Sequence, residues 1–216
     1  MMDADLFATA SVNLGAQVAA AKQAGVPKVV GLSSVGNQHP AGTGNILTNH
    51  ILETALAVYP GAVTLLRAAY FIENWGGVLP EAQAQGVLPS MLLPLDRAIP
   101  MQAAGDVGVA AATLLAESWE GHRIVESHGP ADDSPADAAA TLTTILGKPV
   151  QAVPVPREPW EGVFGSLGLP AVTIGGLCEM LEGVNSGHVA FAGGHRVIHG
   201  RTTLTEALRS LLAGDR

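Results

Sequence analysis

Two short apolar runs, each preceded by a stretch with helical spacing, constrain this chain more than any other feature of it. Before the first run, Leu6, Ala10, Leu14, Val18 and Ala21 recur at helical intervals across Asp3 to Ala24. Gly25 stands where a helix C-cap glycine belongs, and Val26-Pro27 blocks continuation. Lys28 to Ser33 then reads as a strand buried on both faces. Ser34 to Gly44, rich in Gly, Ser, Asn and Pro, is loop material. Asn45 opens a second helix with Ile46, Ile51, Leu52, Leu56 and Val58 on its apolar side, closing near Tyr59-Pro60-Gly61. Ala62 to Leu66 is the second buried strand. Helix–strand–helix–strand with a crossover of this length predicts a parallel α/β sheet.

The later chain is less regular. Helices are predicted from Gly105-Asp106 to Ser118, from Ser134 to Leu146 with Gly147 as its stop, over Glu158 to Leu167, and over Ala171 to Gly183. Ser134-Pro135-Ala136-Asp137 and the capping box Thr203-Leu204-Thr205-Glu206 are the clearest starts. Strands are expected at His122 to Glu126 and at Val150 to Val155, the latter an edge because of Pro154. A boundary near Ile72 divides an α/β portion, residues 1–72, from a mixed α+β lobe, residues 73–216.

Composition narrows the functional classes. The 216 residues carry 11 Lys+Arg against 19 Asp+Glu, a formal charge of −8. That balance argues against nucleic-acid binding and against docking on an anionic membrane, both of which rest on basic side chains. Charged residues make up 14%, against roughly 25% in typical soluble domains, so part of the surface is expected to meet a protein partner or a second copy. A lone cysteine, Cys178, makes no internal disulfide, and a cytoplasmic setting is expected. The longest nearly apolar run, Val107 to Ala116, is too short to span a bilayer, which takes about 20 residues.

A parallel α/β sheet calls for a phosphate-binding turn, yet none of Gly42-Thr43-Gly44, Gly76-Gly77, Gly175-Gly176 and Gly193-Gly194 has the G-x-G-x-x-G spacing between a strand and a helix. Other segments do carry a resemblance. Ala24-Gly25-Val26-Pro27-Lys28 through Ser33-Ser34 is similar to the fifth strand of NmrA-like proteins, atypical members of the short-chain dehydrogenase/reductase superfamily. Leu65-Leu66-Arg67-Ala68-Ala69-Tyr70-Phe71-Ile72-Glu73-Asn74 resembles the stretch after that family's sixth strand. Pro100 to Gly108 resembles its D-[IV]-G helix start, and Val153 to Glu161 with Glu179 to His188 resemble the carboxy-terminal part of one bacterial subgroup. The resemblance implies a partial Rossmann-like sheet with a smaller α+β lobe. In such proteins a strand, the glycine-rich turn and further strands come before the helix that opens this chain. The strand at Lys28 is therefore expected at an exposed sheet edge.

The resemblance also implies NAD or NADP as cofactor and a small-molecule substrate. It places Ser33, Ser34, Asn49, Arg67, Ala69 and Phe71 at the cofactor, and Asn74 and Trp75 at the substrate. Arg67 has a second reading, tying down the loop that follows it. Counting back from Glu53 puts Asn49 at the family's lysine position and Asn45 at its tyrosine position, and neither amide transfers protons at ordinary pH. No catalytic residue is assigned; His50 is the nearest titratable group. His195 and His199 stand four apart with His188 upstream, but no carboxylate accompanies them and no metal site is expected. Trp75, Trp119 and Trp160 read as core or domain-interface anchors, with Trp75 beside Asn74 also placed to wall a pocket, Asp106 as a helix N-cap, and Asp132-Asp133 with Asp137 as a solvated helix start. Three functions follow: an NAD(P)H-dependent reductase of quinone-like acceptors, a non-catalytic NAD(P)H redox sensor, or a remnant without cofactor. Cofactor binding by these 216 residues is expected to be weak.

Overall fold

The computed structural model describes residues 6–214; Asp3 to Asp5, at the start of the first expected helix, lie outside the described residues. In chain order the elements are α1 (Leu6–Gln23), β1 (Lys28–Ser34), a helical turn (Gly44–Ile46), α2 (Leu47–Leu56), β2 (Ala62–Ala68) and β3 (Tyr70–Phe71). A second helical turn (Ile72–Gly77), α3 (Leu79–Gln85), β4 (Val87–Ser90), β5 (Ile99–Gln102), α4 (Ala104–Ala116), β6 (His122–His128) and β7 (Asp132–Asp133) follow. The chain ends with α5 (Pro135–Leu146), β8 (Gln151–Pro154), α6 (Trp160–Ser166), α7 (Ala171–Ser186), β9 (Arg196–His199) and α8 (Leu204–Ala213). Two compact units are interleaved along it: Met1–Ala68, Ala111–Glu126 and Glu158–Val197 form the first, and Ala69–Ala110, Ser127–Arg157 and Ile198–Arg216 the second.

The first unit is organised by a sheet of strand order β1–β2–β6–β9. β1 and β2 run parallel in the register Lys28↔Ala62 through Ser34↔Ala68, joined by a crossover through α2. Leu56, Tyr59 and Val63 form its buried core, with Val18, Ala21, Val29, Leu52 and Leu65 packed around them. Each such side chain contributes about 1.5–3 kcal/mol. The Tyr59 hydroxyl donates to the Val26 carbonyl at 2.8 Å, so the phenol is buried without an unmet polar atom.

One expectation needs correcting here. β1 is not buried on both faces, and among the described residues it pairs only with β2, which makes it the sheet's outer edge. Its Val29, Gly31 and Ser33 face meets α2, whereas Leu32 on the other face is 49% exposed. The edge position itself agrees with what the resemblance implied. α1 beside it contains no buried residue.

At the other ends of these strands, Glu117 accepts hydrogen bonds from Arg123 and, in a fork, from both terminal nitrogens of Arg196, at 2.8–2.9 Å. The Arg123 guanidinium and the Lys28 ammonium lie 4.5 and 5.3 Å from the ring centre of Trp119. Trp160 is almost wholly buried, and Trp119 is half-buried as a platform for cations.

In the second unit, β5 pairs β3 in parallel and β7 in antiparallel, and β4 pairs β8 in parallel. The predicted caps are present: Ser134 with Asp137 starts α5, and Thr203 with Glu206 starts α8, each as a reciprocal capping box. Two readings are corrected. Asp132-Asp133 form β7 instead of a helix start, and that role falls to Asp137 alone. Asp106 lies within the first turn of α4 and accepts from the Arg201 and Thr202 amides and the Thr202 hydroxyl, at 2.8–3.1 Å. The α4 amino terminus is capped instead by Glu73, whose Oε1 accepts from the Ala104 amide at 2.9 Å. No helix among the described residues is long and apolar enough to cross a membrane.

Candidate functional site

Ser33 and Arg67 are register partners at the carboxyl ends of β1 and β2, so both side chains face α2. Two residues before Ser33 stands Gly31. A Cβ there would meet Leu56 Cδ1 at 2.7 Å and Leu52 Cδ2 at 3.6 Å, so the missing side chain lets α2 lie close on β1. That closeness brings Glu53 into reach of both strands. Ser33 Oγ donates to Glu53 Oε1 at 2.5 Å, Arg67 Nε donates to the same oxygen at 3.0 Å, and Arg67 Nη2 donates to Oε2 at 2.8 Å. Arg67 and Glu53 expose only 7% and 11% of their side chains. Burial alone would raise the Glu53 carboxyl, but hydrogen bonds from Arg67 and Ser33, the nearby Asn37 amide and the Arg67 charge outweigh it and hold the group below the usual carboxylate range. Glu53 is thus a locked anion, not a proton-transfer group.

The loop that follows is pinned by α7. Val35 extends the strand ladder by one bond, its amide donating to the Ala68 carbonyl at 2.9 Å. Gly44 (φ +55°) crosses α7 where a Cβ would run into the Gly176 carbonyl, and Gly183 faces Val189 and the Gly42 carbonyl. Gly176 and Gly183 are seven apart, two turns on one helix face, so this face of α7 is cut back for a close crossing. Asn45 Nδ2 donates to the Thr173 carbonyl at 3.1 Å, which commits the residue at the tyrosine position to holding the loop. Asn37 is 1% exposed and close enough to Glu53 to help depress it, yet both its amide atoms, like Thr43 Oγ1 and Asn45 Oδ1, fall short of hydrogen-bond geometry. Such a cluster of unmet polar atoms at strand carboxyl ends is where open α/β sheets take their ligands. His50 Nδ1 donates to the Asn37 carbonyl at 3.4 Å, and the ring lines a groove of about 740 Å³ together with Glu53, Val63, Leu65, Ile124 and His195.

The residues expected at a cofactor therefore differ in what they still offer. Ser33 Oγ and Arg67 Nε and Nη2 are turned to Glu53. Ser34, half-buried, donates only to the Val35 carbonyl at 3.1 Å. The half-buried Asn49 side chain makes no hydrogen bond among the described residues. From sequence, Glu53 served only as the landmark for counting back to Asn49 and Asn45 and was given no site role, and Asn37 was not singled out. The signal for the first was the Gly31-x-Ser33 alternation facing a helix with a single acid.

In the second unit, Ala69 is buried and its amide donates to the Ser127 carbonyl at 3.0 Å. Phe71 pairs in register with Gln102, a fully buried amide whose Oε1 accepts from Ser127 Oγ at 2.8 Å. Burial pushes the Tyr70 phenol up to about 12, against a hydrogen bond with exposed Asn74 that pulls it down. Tyr70 therefore keeps its proton at neutral pH. Trp75 is 5% exposed, and its indole nitrogen meets no acceptor. Among the described residues no group of three or more His, Cys, Asp or Glu is placed to hold a metal ion.

No family profile and no curated protein matches this sequence. Solved structures do. A quinone oxidoreductase from Escherichia coli, QOR2, described as NADPH-dependent, is 25% identical, with a TM-score of 0.75 over 93% of this chain and 73% of its own. A second structure of that enzyme is complexed with NADPH. Citrobacter triphenylmethane reductase is 19% identical, with a TM-score of 0.77 over 94% and 71% of the two chains. A doubly substituted NmrA is 18% identical, with a TM-score of 0.56 over 95% and 66%. The fold of this chain is that of the NmrA-like, atypical short-chain dehydrogenase/reductase proteins.

Proposed function

We propose that the strand ends around Ser34 and Asn49 take the nicotinamide end of NADPH or NADH, for hydride transfer to a small quinone-like acceptor. The observation that carries this reading is the pairing of two features: a scaffold shared with NADPH-dependent reductases, and a buried Ser33–Glu53–Arg67 network whose chain neighbours, Ser34 next to Ser33 on β1 and Asn49 one turn before Glu53 on α2, keep spare hydrogen-bonding capacity. Bound reduced nicotinamide would supply the hydride; the protein's part is to orient and to exclude water. In this reading Ser33 and Arg67 are positioning residues: through Glu53 they fix the ends of β1 and β2. Ala69 and Phe71 are assigned to the cofactor, and Asn74 and Trp75 to the substrate, by their places in the sequence motif.

The nicotinamide end is the part of the cofactor that these residues fit. The 216 residues hold no glycine-rich strand–turn–helix for a pyrophosphate. Affinity for the whole dinucleotide is accordingly low in the isolated chain. The test is NADPH consumption at millimolar cofactor with a panel of simple quinones. Saturable, acceptor-dependent oxidation supports a reductase.

Asn45 and Asn49 favour a second reading. With the acid–base pair replaced and Asn45 spent on Thr173, a non-catalytic sensor of NAD(P)H fits the same strand ends. Cofactor binding with no acceptor reduced, together with a protein partner captured by only one redox form, would select it.

A further inference from the structure

Outside the strand-end network, two imidazoles face each other across the loop's far side. The rings of His39, in the loop, and His188, just past the carboxyl end of α7, stack with centres 4.0 Å apart and planes at 29°. His188 Nε2 donates to the Ala41 carbonyl at 3.0 Å. Gln38 Nε2 donates to the Ala190 carbonyl at 2.8 Å, which fixes which end of that amide faces His39. The same nitrogen lies 3.2 Å from His39 Nε2. An amide nitrogen only donates, so His39 Nε2 has to present a lone pair.

We propose that this pair is a proton-operated latch that holds loop 36–44 on the end of α7 and lets it go on acidification. A proton on His39 Nε2 would set two donors face to face. Once His188 is also charged, it would place two cations 4.0 Å apart, a distance at which like charges repel even in water. Neither ring bonds a carboxylate that would offset this: their partners are Gln38, the Ala41 carbonyl and each other. The other titratable groups tied to the loop are His50, on the Asn37 carbonyl, and Glu53, already committed to Arg67. Protonating the stacked pair therefore opposes the docked geometry, so docking weakens on acidification. The close seat of Gly36 against Val189, where a Cβ would meet Val189 Cγ1 at 2.9 Å, is what release would open. The inference stands on loop geometry and does not depend on the proposed reductase.

Hydrogen exchange of the whole chain, corrected for the intrinsic pH dependence of amide exchange, tests it. Protection of peptides covering 36–44 should fall about tenfold between about pH 8 and about pH 5.5 in the wild type. The drop should vanish in His39→Phe, which keeps a stacked ring without a titratable nitrogen, and equally in His39→Gln should the phenylalanine variant fold poorly. His50→Gln should keep the full drop. Equal protection of the wild type at both pH values, or a drop that survives both His39 variants, would overturn the latch.

Discussion

The first unit contains two carboxylate–arginine assemblies that differ in everything except their chemistry. Glu53 has one arginine and is almost sealed from water; Glu117 has two arginines and stays open to it. Counting ion pairs would rank the second higher. The physics ranks them the other way. An exposed pair gains little because solvent already screens the charges, whereas cutting a buried pair strands an uncompensated ion in a medium that cannot solvate it. The network at the strand ends is therefore a structural commitment, and the cluster at the opposite ends is an adjustable surface clasp.

The largest expected effect comes from breaking the buried side. Glu53→Ala leaves Arg67 without its partner and should cost about 3–5 kcal/mol in urea unfolding. A loss of the same small size as at Glu117 would erase the contrast. Next in size is the α7 crossing beneath the same loop. Gly176→Ala drives a methyl group into Asn45 and should cost about 1–3 kcal/mol by the same measurement, with Gly175→Ala, open on its Cβ side, near neutral.

Glu117→Gln should shift the unfolding midpoint less than either, and raising the salt concentration should shrink the wild-type advantage over it further. The pH dependence sharpens the point. Hydrogen bonds from Arg196, then Arg123, hold Glu117 down at about 2, below its unfolded value near 4.3. A depressed carboxyl contributes stability that is fully present above the unfolded value and is lost as pH falls through the folded one. Acid unfolding between about pH 4.3 and about pH 2 should therefore be shallower in Glu117→Gln than in the wild type, and parallel curves would count against the assignment.

How much of this was readable beforehand follows from range. The β1–α2–β2 unit and the two capping boxes announce themselves because their signals are local: apolar period, glycine stops, Ser134-to-Asp137 and Thr203-to-Glu206 spacing. Strands such as β3 and β7 are two residues long and exist only through pairing with β5, which no local pattern encodes. Leu32 looked like core because an apolar strand run is buried on both faces only when something packs on each, and among the described residues α2 packs on one face of β1 while Leu32 on the other stays exposed. The site behaved likewise. Ser33, Ser34, Asn49 and Arg67 were named from motif positions, but that Arg67 turns to Glu53 and Asn45 to Thr173 depends on contacts 14 and 128 residues apart in sequence.

The central proposal is that these strand ends grip the nicotinamide end of a dinucleotide and that no described residue grips its pyrophosphate. Isothermal titration with NADPH and, separately, with reduced nicotinamide mononucleotide tests it most directly. Weak affinities for the two, alike within about threefold (under 1 kcal/mol), are predicted. Micromolar binding of NADPH far tighter than that of the mononucleotide, or no binding of either, would contradict it.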